Sequence, residues 1–247
     1  MLLLESLKKE YIEIDNKLIS YSVSGYGYPV VLIHGLGTSK DSWSFNIKEL
    51  SQDSKVYAVD MPGFGESCYD DEVLSAEEIA DTIAKWCLKI GIKKANFVGH
   101  SFGGEVCLWL AIKYPNIVKS IVLAASTGLN DNVSNIERIK SMMIDGPREP
   151  IHFMPKLFKS YIKAGAWRII ATLQKSHQRN LGIYLNKIKC PVLIIYGSKD
   201  PIIIPEEDYI CVKKIKDFQI KIINSTHGLI FDSPEEFNLL VKDFVNN

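Results

Sequence analysis

"FVGHSFGGE", Phe97 to Glu105, runs an apolar stretch into a knot of glycines around one serine. A G-x-S-x-G between a strand and a helix forces a sharp turn. The serine takes a strained backbone conformation there, and the flanking residues are glycines because any Cβ would clash. Ser101 Oγ then stands clear of the sheet. The helix expected from Ser101 to Tyr114 points its N-terminus at the same spot, which frees the Phe102 amide to donate to an oxyanion. Gly103 and Gly104 are poor formers of a first helical turn, so they argue for close packing at a strained bend. The competing reading is a glycine-rich turn that packs closely or binds a phosphate at the helix start. A strand before, a helix after and a second glycine favour the nucleophile.

Outward from this turn, short β-rich runs alternate with longer helical patterns, which predicts helices on both faces of a mostly parallel sheet. The runs are Glu10–Asp15, Leu18–Ser24, Pro29–His34, Lys55–Asp60, Ala95–His100, Val118–Ala124, Pro191–Gly197 and Phe218–Ile223. The first two alternate apolar with polar residues and have no helix between them, so they read as an antiparallel edge hairpin; "PVVLIH", "SIVLAA" and "PVLIIYG" are nearly continuous and should be covered on both faces. Ser75 with Glu78 forms a capping-box signature for a helix to Gly91, and Ser233-Pro234-Glu235-Glu236 repeats the device near the C-terminus. From Gly128 to Asn186 the strand pattern stops. Amphipathic pieces broken by glycine and proline read there as an inserted cluster of short helices.

The 247 residues carry 29 Lys and Arg against 29 Asp and Glu, a formal charge of zero, so electrostatics makes no case for nucleic acid. A small-molecule partner is expected instead. Met1-Leu2-Leu3-Leu4 is followed at once by Glu5 and Lys8, too short and too charged for a signal peptide, and no apolar run approaches the ~20 residues of a membrane span. A soluble cytoplasmic protein is therefore expected. The scattered cysteines (Cys68, Cys87, Cys107, Cys190, Cys211) are odd in number and contain no C-x-x-C, which argues for reduced thiols and against a disulfide framework or a zinc site. Neither a cofactor nor a metal is expected.

A serine hydroxyl needs a histidine to remove its proton, and that histidine needs a carboxylate to hold its tautomer. Beyond Ser101 the histidines are His152, His177 and His227; the first two lie in the inserted segment, while His227 follows the last strand in "NSTHGLIF". Asp200 follows the strand Pro191–Gly197, stiffened by Pro201, and is the expected acid; as a turn aspartate beside glycine and proline it also has a purely local reading. Asp208, Asp217 and Asp232 are the other carboxylates in reach. Gly35 and Gly37 of "HGLG" let the loop after Pro29–His34 fold back so that the Leu36 amide pairs with that of Phe102 as an oxyanion hole. His34 and His100 are expected to be structural, and Glu105 is expected to act as a hydrogen-bonding group on the helix.

Together "HGLG", "DMPGFGES" (Asp60–Ser67), "GHSFGG", "YGSKDPIIIP" and "HGLIFDSPEEF" resemble the α/β-hydrolase superfamily, in the serine-nucleophile branch with a helical cap. The resemblance implies an α/β-hydrolase fold: an eight-stranded mostly parallel sheet with residues 1–127 and 187–247 as its core and 128–186 as the cap. It also implies the triad Ser101, Asp200 and His227, with the oxyanion hole on the Leu36 and Phe102 amides. Serine at 101 disfavours dehalogenases and epoxide hydrolases, which use aspartate. A glutamate often stands where Asp232 does, a departure expected to affect only loop and helix-start packing.

Fold does not fix the reaction. Leu36, Phe102, Phe153 and Trp167 are expected to line an apolar substrate pocket, which points to a carboxylesterase acting on a small or medium acyl ester through an acyl-enzyme. Residues 128–186 carry nine Lys or Arg against four acids, a surplus of five that is either a solvated outer face or an attraction for anionic substrates. In the second case a cap arginine (Arg138, Arg148, Arg168 or Arg179) would serve a C–C bond hydrolase of diketone-type acids. A thioesterase and a non-enzymatic ligand sensor are the remaining alternatives. Oligomeric state has no signal in the sequence.

Overall fold

A computed structural model of the chain describes residues 8–67, 72–129, 154–178 and 181–246. The strands are β1 (Lys8–Ile14), β2 (Lys17–Ser24), β3 (Tyr28–Ile33), β4 (Ser54–Val59), β5 (Ala95–His100), β6 (Val118–Ala124), β7 (Val192–Gly197) and β8 (Phe218–Ile223). The helices used below are α1 (Ile47–Leu50), α2 (Ala76–Lys89), α3 (Phe102–Lys113), α4 (Met154–Ala164), α5 (Ala166–His177), α6 (Pro205–Val212), α7 (Leu229–Asp232) and α8 (Pro234–Asn246).

The strands make one eight-stranded sheet in the order β1-β2-β4-β3-β5-β6-β7-β8. β1 and β2 pair antiparallel, β2 pairs antiparallel with β4, and every later neighbour is parallel. The hairpin turns on Asp15 and Asn16, both at positive φ, the two-residue turn whose twist matches the strands. β5 and β7 are buried at every residue, as their unbroken apolar runs require of strands covered on both sides.

Chain direction fixes which face each helix covers. From β3 the chain steps back to β4, whereas from β4 to β5 and from β5 to β6 it steps forward. Right-handed crossovers therefore place the 40–50 turn on one face and α2 and α3 on the other. The packing agrees: Trp86 of α2 meets Tyr21 and Tyr57 edge-on at 5.3 and 6.1 Å, while Trp43 meets Phe237 of α8 at 6.1 Å. α2 starts with the full capping box, the Ser75 hydroxyl accepting from Glu78 N and Glu78 Oε2 accepting from Ser75 N at 2.8 Å. At the start of α8 the Ser233 hydroxyl donates to the Asn224 carbonyl at 3.4 Å.

Between β6 and β7 the described residues form α4, α5 and two 3₁₀ turns, Leu181–Ile183 and Leu185–Lys187. α5 docks on the start of α2. Ser176 Oγ accepts from Ala76 N at 2.9 Å, Lys175 pairs with Glu78 at 2.8 Å, and Arg168 Nη1 donates to the Glu72 carbonyl at 2.9 Å. Part of the basic surplus of this segment thus fastens it to the core. Arg138, Arg148, Arg179 and Phe153 lie outside the described residues. Among the described residues no helix is long and apolar enough to cross a membrane. Cys87 and Cys107 are buried thiols whose pKa burial raises, Cys190 and Cys211 are partly buried and not in disulfides, and Cys68 lies outside the described residues.

Candidate active site

Strand order reverses between β3 and β5, and the crevice beyond the carboxyl ends of those two strands is where an open α/β sheet receives ligands. Ser101 sits there, between β5 and α3, at φ 52° and ψ −119°. A non-glycine residue in that region costs on the order of 1–3 kcal/mol and persists only where its surroundings hold it. Ser101 N donates to the Ala124 carbonyl at 2.9 Å, and the Ser101 carbonyl accepts from Gly104 N at 2.9 Å and Thr127 N at 3.2 Å. Gly103 lets α3 approach β3: a Cβ there would lie 2.2 Å from the Ile33 carbonyl oxygen and 2.6 Å from that of His34.

Ser101, His227 and Asp200 come together from three loops. His227 Nε2 lies 2.9 Å from Ser101 Oγ, and its Nδ1 lies 2.9 Å from Asp200 Oδ2. Asp200 Oδ1 accepts from the Ile202 and Ile203 amides at 2.7 and 3.1 Å, so the turn aspartate and the histidine partner are one residue using two oxygens. The Asp200 side chain is wholly buried and that of His227 is 11 % exposed. A carboxylate can only accept, which leaves Nδ1–H as donor and Nε2 free to take the serine proton. Of the other carboxylates, Asp217 is exposed just before β8, and the remaining two are engaged elsewhere. Asp208 accepts from Tyr196 Oη at 3.0 Å, and Asp232 accepts from Thr226 Oγ1, whose oxygen also receives the Gly228 amide at 3.3 Å. Asp232 therefore braces the loop that carries His227.

His34 and His100 have other partners. His34 Nδ1 lies 2.8 Å from the Gly35 carbonyl and its Nε2 accepts from Met61 N at 3.0 Å; burial lowers its pKa, so it stays neutral. His100 Nε2 lies 2.9 Å from the His227 carbonyl oxygen, and burial pushes the ring down to about 3. His177 is exposed at the end of α5, and His152 lies outside the described residues. Glu105 is buried and accepts from Thr127 Oγ1 at 2.9 Å.

Leu36 and Phe102, whose amides are the expected oxyanion donors, are both buried, and Phe102 opens α3, where an amide has no intrahelical acceptor. The turn that carries Leu36 closes with Thr38 N and Thr38 Oγ1 both donating to the Gly35 carbonyl, at 3.2 and 2.8 Å. Gly37 has φ +76°, and a Cβ there would meet the Tyr161 ring at 2.7 Å and Ile169 Cδ1 at 2.9 Å. The α4–α5 pair thus rests on this turn. Trp167 departs from expectation: it is 66 % exposed, because α5 turns Arg168, Thr172, Leu173 and Ser176 inward and leaves Trp167 on the outer side.

One cluster has no counterpart in the sequence reading. Lys40 Nζ lies 2.6 Å from Asp60 and 2.7 Å from Glu66, and Asp60 also accepts the Lys40 and Glu66 amides at 2.6 and 2.8 Å. Burial works against the Lys40 charge, but Asp60 and Glu66 outweigh it and its pKa is raised. Glu66 is held down at about 2 by the Lys40 hydrogen bond against its own partial burial, with Lys9 adding to it. The network ties the end of the Leu36 turn to the loop after β4. Its two acids lie in "DMPGFGES", and the parallel pairing of β3 with β4 brings residues 34–40 and 60 to one sheet edge.

The family model described as alpha/beta hydrolase fold matches residues 28–160. "Abhydrolase domain-containing protein abhd-5.2" of Caenorhabditis elegans is 43 % identical over 108 residues, 42 % of this chain and 24 % of that protein. Human "Monoacylglycerol lipase ABHD6" is 24 % identical over 97 % of this chain and 82 % of its own length. The matched stretch is 24 %, 34 % and 53 % of the length of the first three curated relatives. Among solved structures, a thermophilic esterase from Thermogutta terrifontis superposes with a TM-score of 0.83 at 22 % identity, over 97 % of this chain and 98 % of that one. The topology, with its sheet reversal beside a strained serine, and the match across 28–160 lead to one conclusion: this chain belongs to the α/β-hydrolase fold family.

Proposed function

We propose that the protein is a serine hydrolase that cleaves carboxylic esters through an acyl-enzyme. The observation that supports it most is the unbroken chain of hydrogen bonds from Ser101 Oγ through His227 to Asp200, two links of 2.9 Å starting from a serine at positive φ. His227 Nε2 takes the serine proton as Ser101 Oγ attacks the acyl carbonyl. Asp200 stabilises the imidazolium, and the oxyanion rests on the Leu36 and Phe102 amides. A single such donor is worth on the order of 3 kcal/mol of transition-state stabilisation. The imidazolium then protonates the departing alcohol. Water, deprotonated by the same nitrogen, attacks the acyl-enzyme and releases the acid.

The apolar side chains of Leu36 and Phe102 beside the nucleophile favour a small or medium apolar acyl group, and the human relative's name, a monoacylglycerol lipase, belongs to the same reaction class. Residues 128–186 act as the cap in this reading, with α4 and α5 seated over the Leu36 turn through Tyr161 and Ile169. The use of Arg168 in docking α5 weighs against it as a carboxylate clamp for a C–C bond hydrolase. A series of p-nitrophenyl esters of rising chain length tests the proposal. kcat/KM is expected to peak at short or medium acyl chains; hydrolysis no faster than buffer at any length contradicts it.

A further inference from the structure

His100 is a buried histidine in contact with the base but outside the hydrogen-bonded chain of the proposed mechanism. Its ring touches both halves of the site. On one edge, Nε2 lies 2.9 Å from the His227 backbone carbonyl; a carbonyl only accepts, so the proton is on Nε2 and Nδ1 carries the lone pair. On the other edge, Nδ1 faces the Leu36 turn so closely that a Cβ on Gly35 would come within 3.1 Å of it. The ring lies 5.2 Å from the His227 ring and meets Phe231 edge-on at 6.3 Å. The residue is 6 % exposed, and burial favours its neutral form.

We infer that His100 is a positioning residue: its ring spaces the oxyanion turn from the base loop, and its Nε2–H fixes the backbone from which His227 reaches Ser101. The inference rests on the serine-hydrolase reading. His227 reaches Ser101 and Asp200 only while its backbone keeps one place, and His100 holds that place through the carbonyl of the same residue. A neutral ring also does this without adding a second positive charge beside the imidazolium that forms during the reaction. A displacement of about 1 Å at reacting groups can cost a hundredfold in rate, so losing this one bond is expected to appear in kcat.

Three variants separate the bond from mere filling of space. The amide nitrogen of glutamine can reach the position of Nε2, that of asparagine cannot, and methionine fills the volume without a donor. On a p-nitrophenyl ester, His100→Asn and His100→Met are expected to lose about tenfold to a hundredfold in kcat with KM within about threefold of wild type. His100→Gln is expected to recover most of the loss. Equal activity in all variants overturns the inference, as does a loss that glutamine fails to rescue or one that falls on KM.

The wild-type protein supplies a test that needs no variant to fold. Nitrogen-15 NMR of the imidazoles is expected to show His100 as the Nε2–H tautomer and His227 as Nδ1–H, and a Nδ1–H His100 overturns the inference. Labelling of the wild type by a serine-directed phosphonate keeps the two readings apart. Without labelling the serine-hydrolase reading falls and the inference with it; with labelling, the variants and the tautomer judge His100 alone.

Discussion

Asp200 Oδ2 accepts the Nδ1–H of His227 at 2.9 Å while the opposite oxygen is pinned by two backbone amides. The carboxylate cannot rotate away from the imidazole without breaking its own turn. Geometry and charge can therefore be separated here by one substitution. Asp200→Asn keeps an oxygen for the Ile202 and Ile203 amides but presents an NH₂ to His227, which favours the wrong tautomer. Steady-state kinetics on an activated ester should show kcat reduced by about 10⁴-fold, with folding intact by circular dichroism. A loss below tenfold would mean that another carboxylate serves His227.

The Lys40–Asp60 pair is closed to solvent, with side-chain exposures of 2 % and 0 %. Removing one member of a buried pair leaves an uncompensated charge, a cost of about 3–5 kcal/mol. Lys40→Met should lower the denaturation free energy by that amount in a urea titration, and adding Asp60→Asn should return part of it. A change below about 1 kcal/mol in the single variant would show that water reaches the pair.

Acid stability follows from three depressed groups. His100 has a folded pKa of about 3 against an ordinary 6.5, so below pH 6.5 the unfolded chain binds a proton that the folded one refuses, and stability falls until pH reaches about 3. Burial gives His34 the same sign. Glu66, at about 2 against 4.5, contributes stability that is present above pH 4.5 and lost as pH falls through about 2. The urea midpoint should therefore decline steadily from pH 7 to 3. In His100→Gln the decline between pH 6.5 and 4.5 should be shallower. An identical slope in the variant would place the acid sensitivity elsewhere.

Most of the architecture was legible in the sequence because the signals were local. Ala95–His100, Val118–Ala124 and Phe218–Ile223 form strands over those same residues, and the others shift by at most two residues at an end. Ser75 and Glu78 cap α2 through bonds within four residues. Ser101, Asp200 and His227 could be expected because each follows a strand at the same sheet edge, a matter of topology as well as composition. What escaped depends on contacts between distant loops. Lys40 reads as one more lysine until Asp60 is seen beside it, and His100 is expected to be structural with no partner named until the His227 carbonyl is found 2.9 Å away. Trp167 was misplaced because an aromatic residue in an amphipathic helix does not itself say which side faces inward; the burial of its neighbour Arg168 decides that.

The proposed role of Ser101 as nucleophile is decided by covalent trapping. Intact-mass spectrometry after treatment with a serine-directed phosphonate should show one phosphonyl group per wild-type chain, located at Ser101 by peptide mapping, and none on Ser101→Ala, which should also lack the burst of alcohol release. Undiminished labelling or ester turnover in Ser101→Ala would contradict the account.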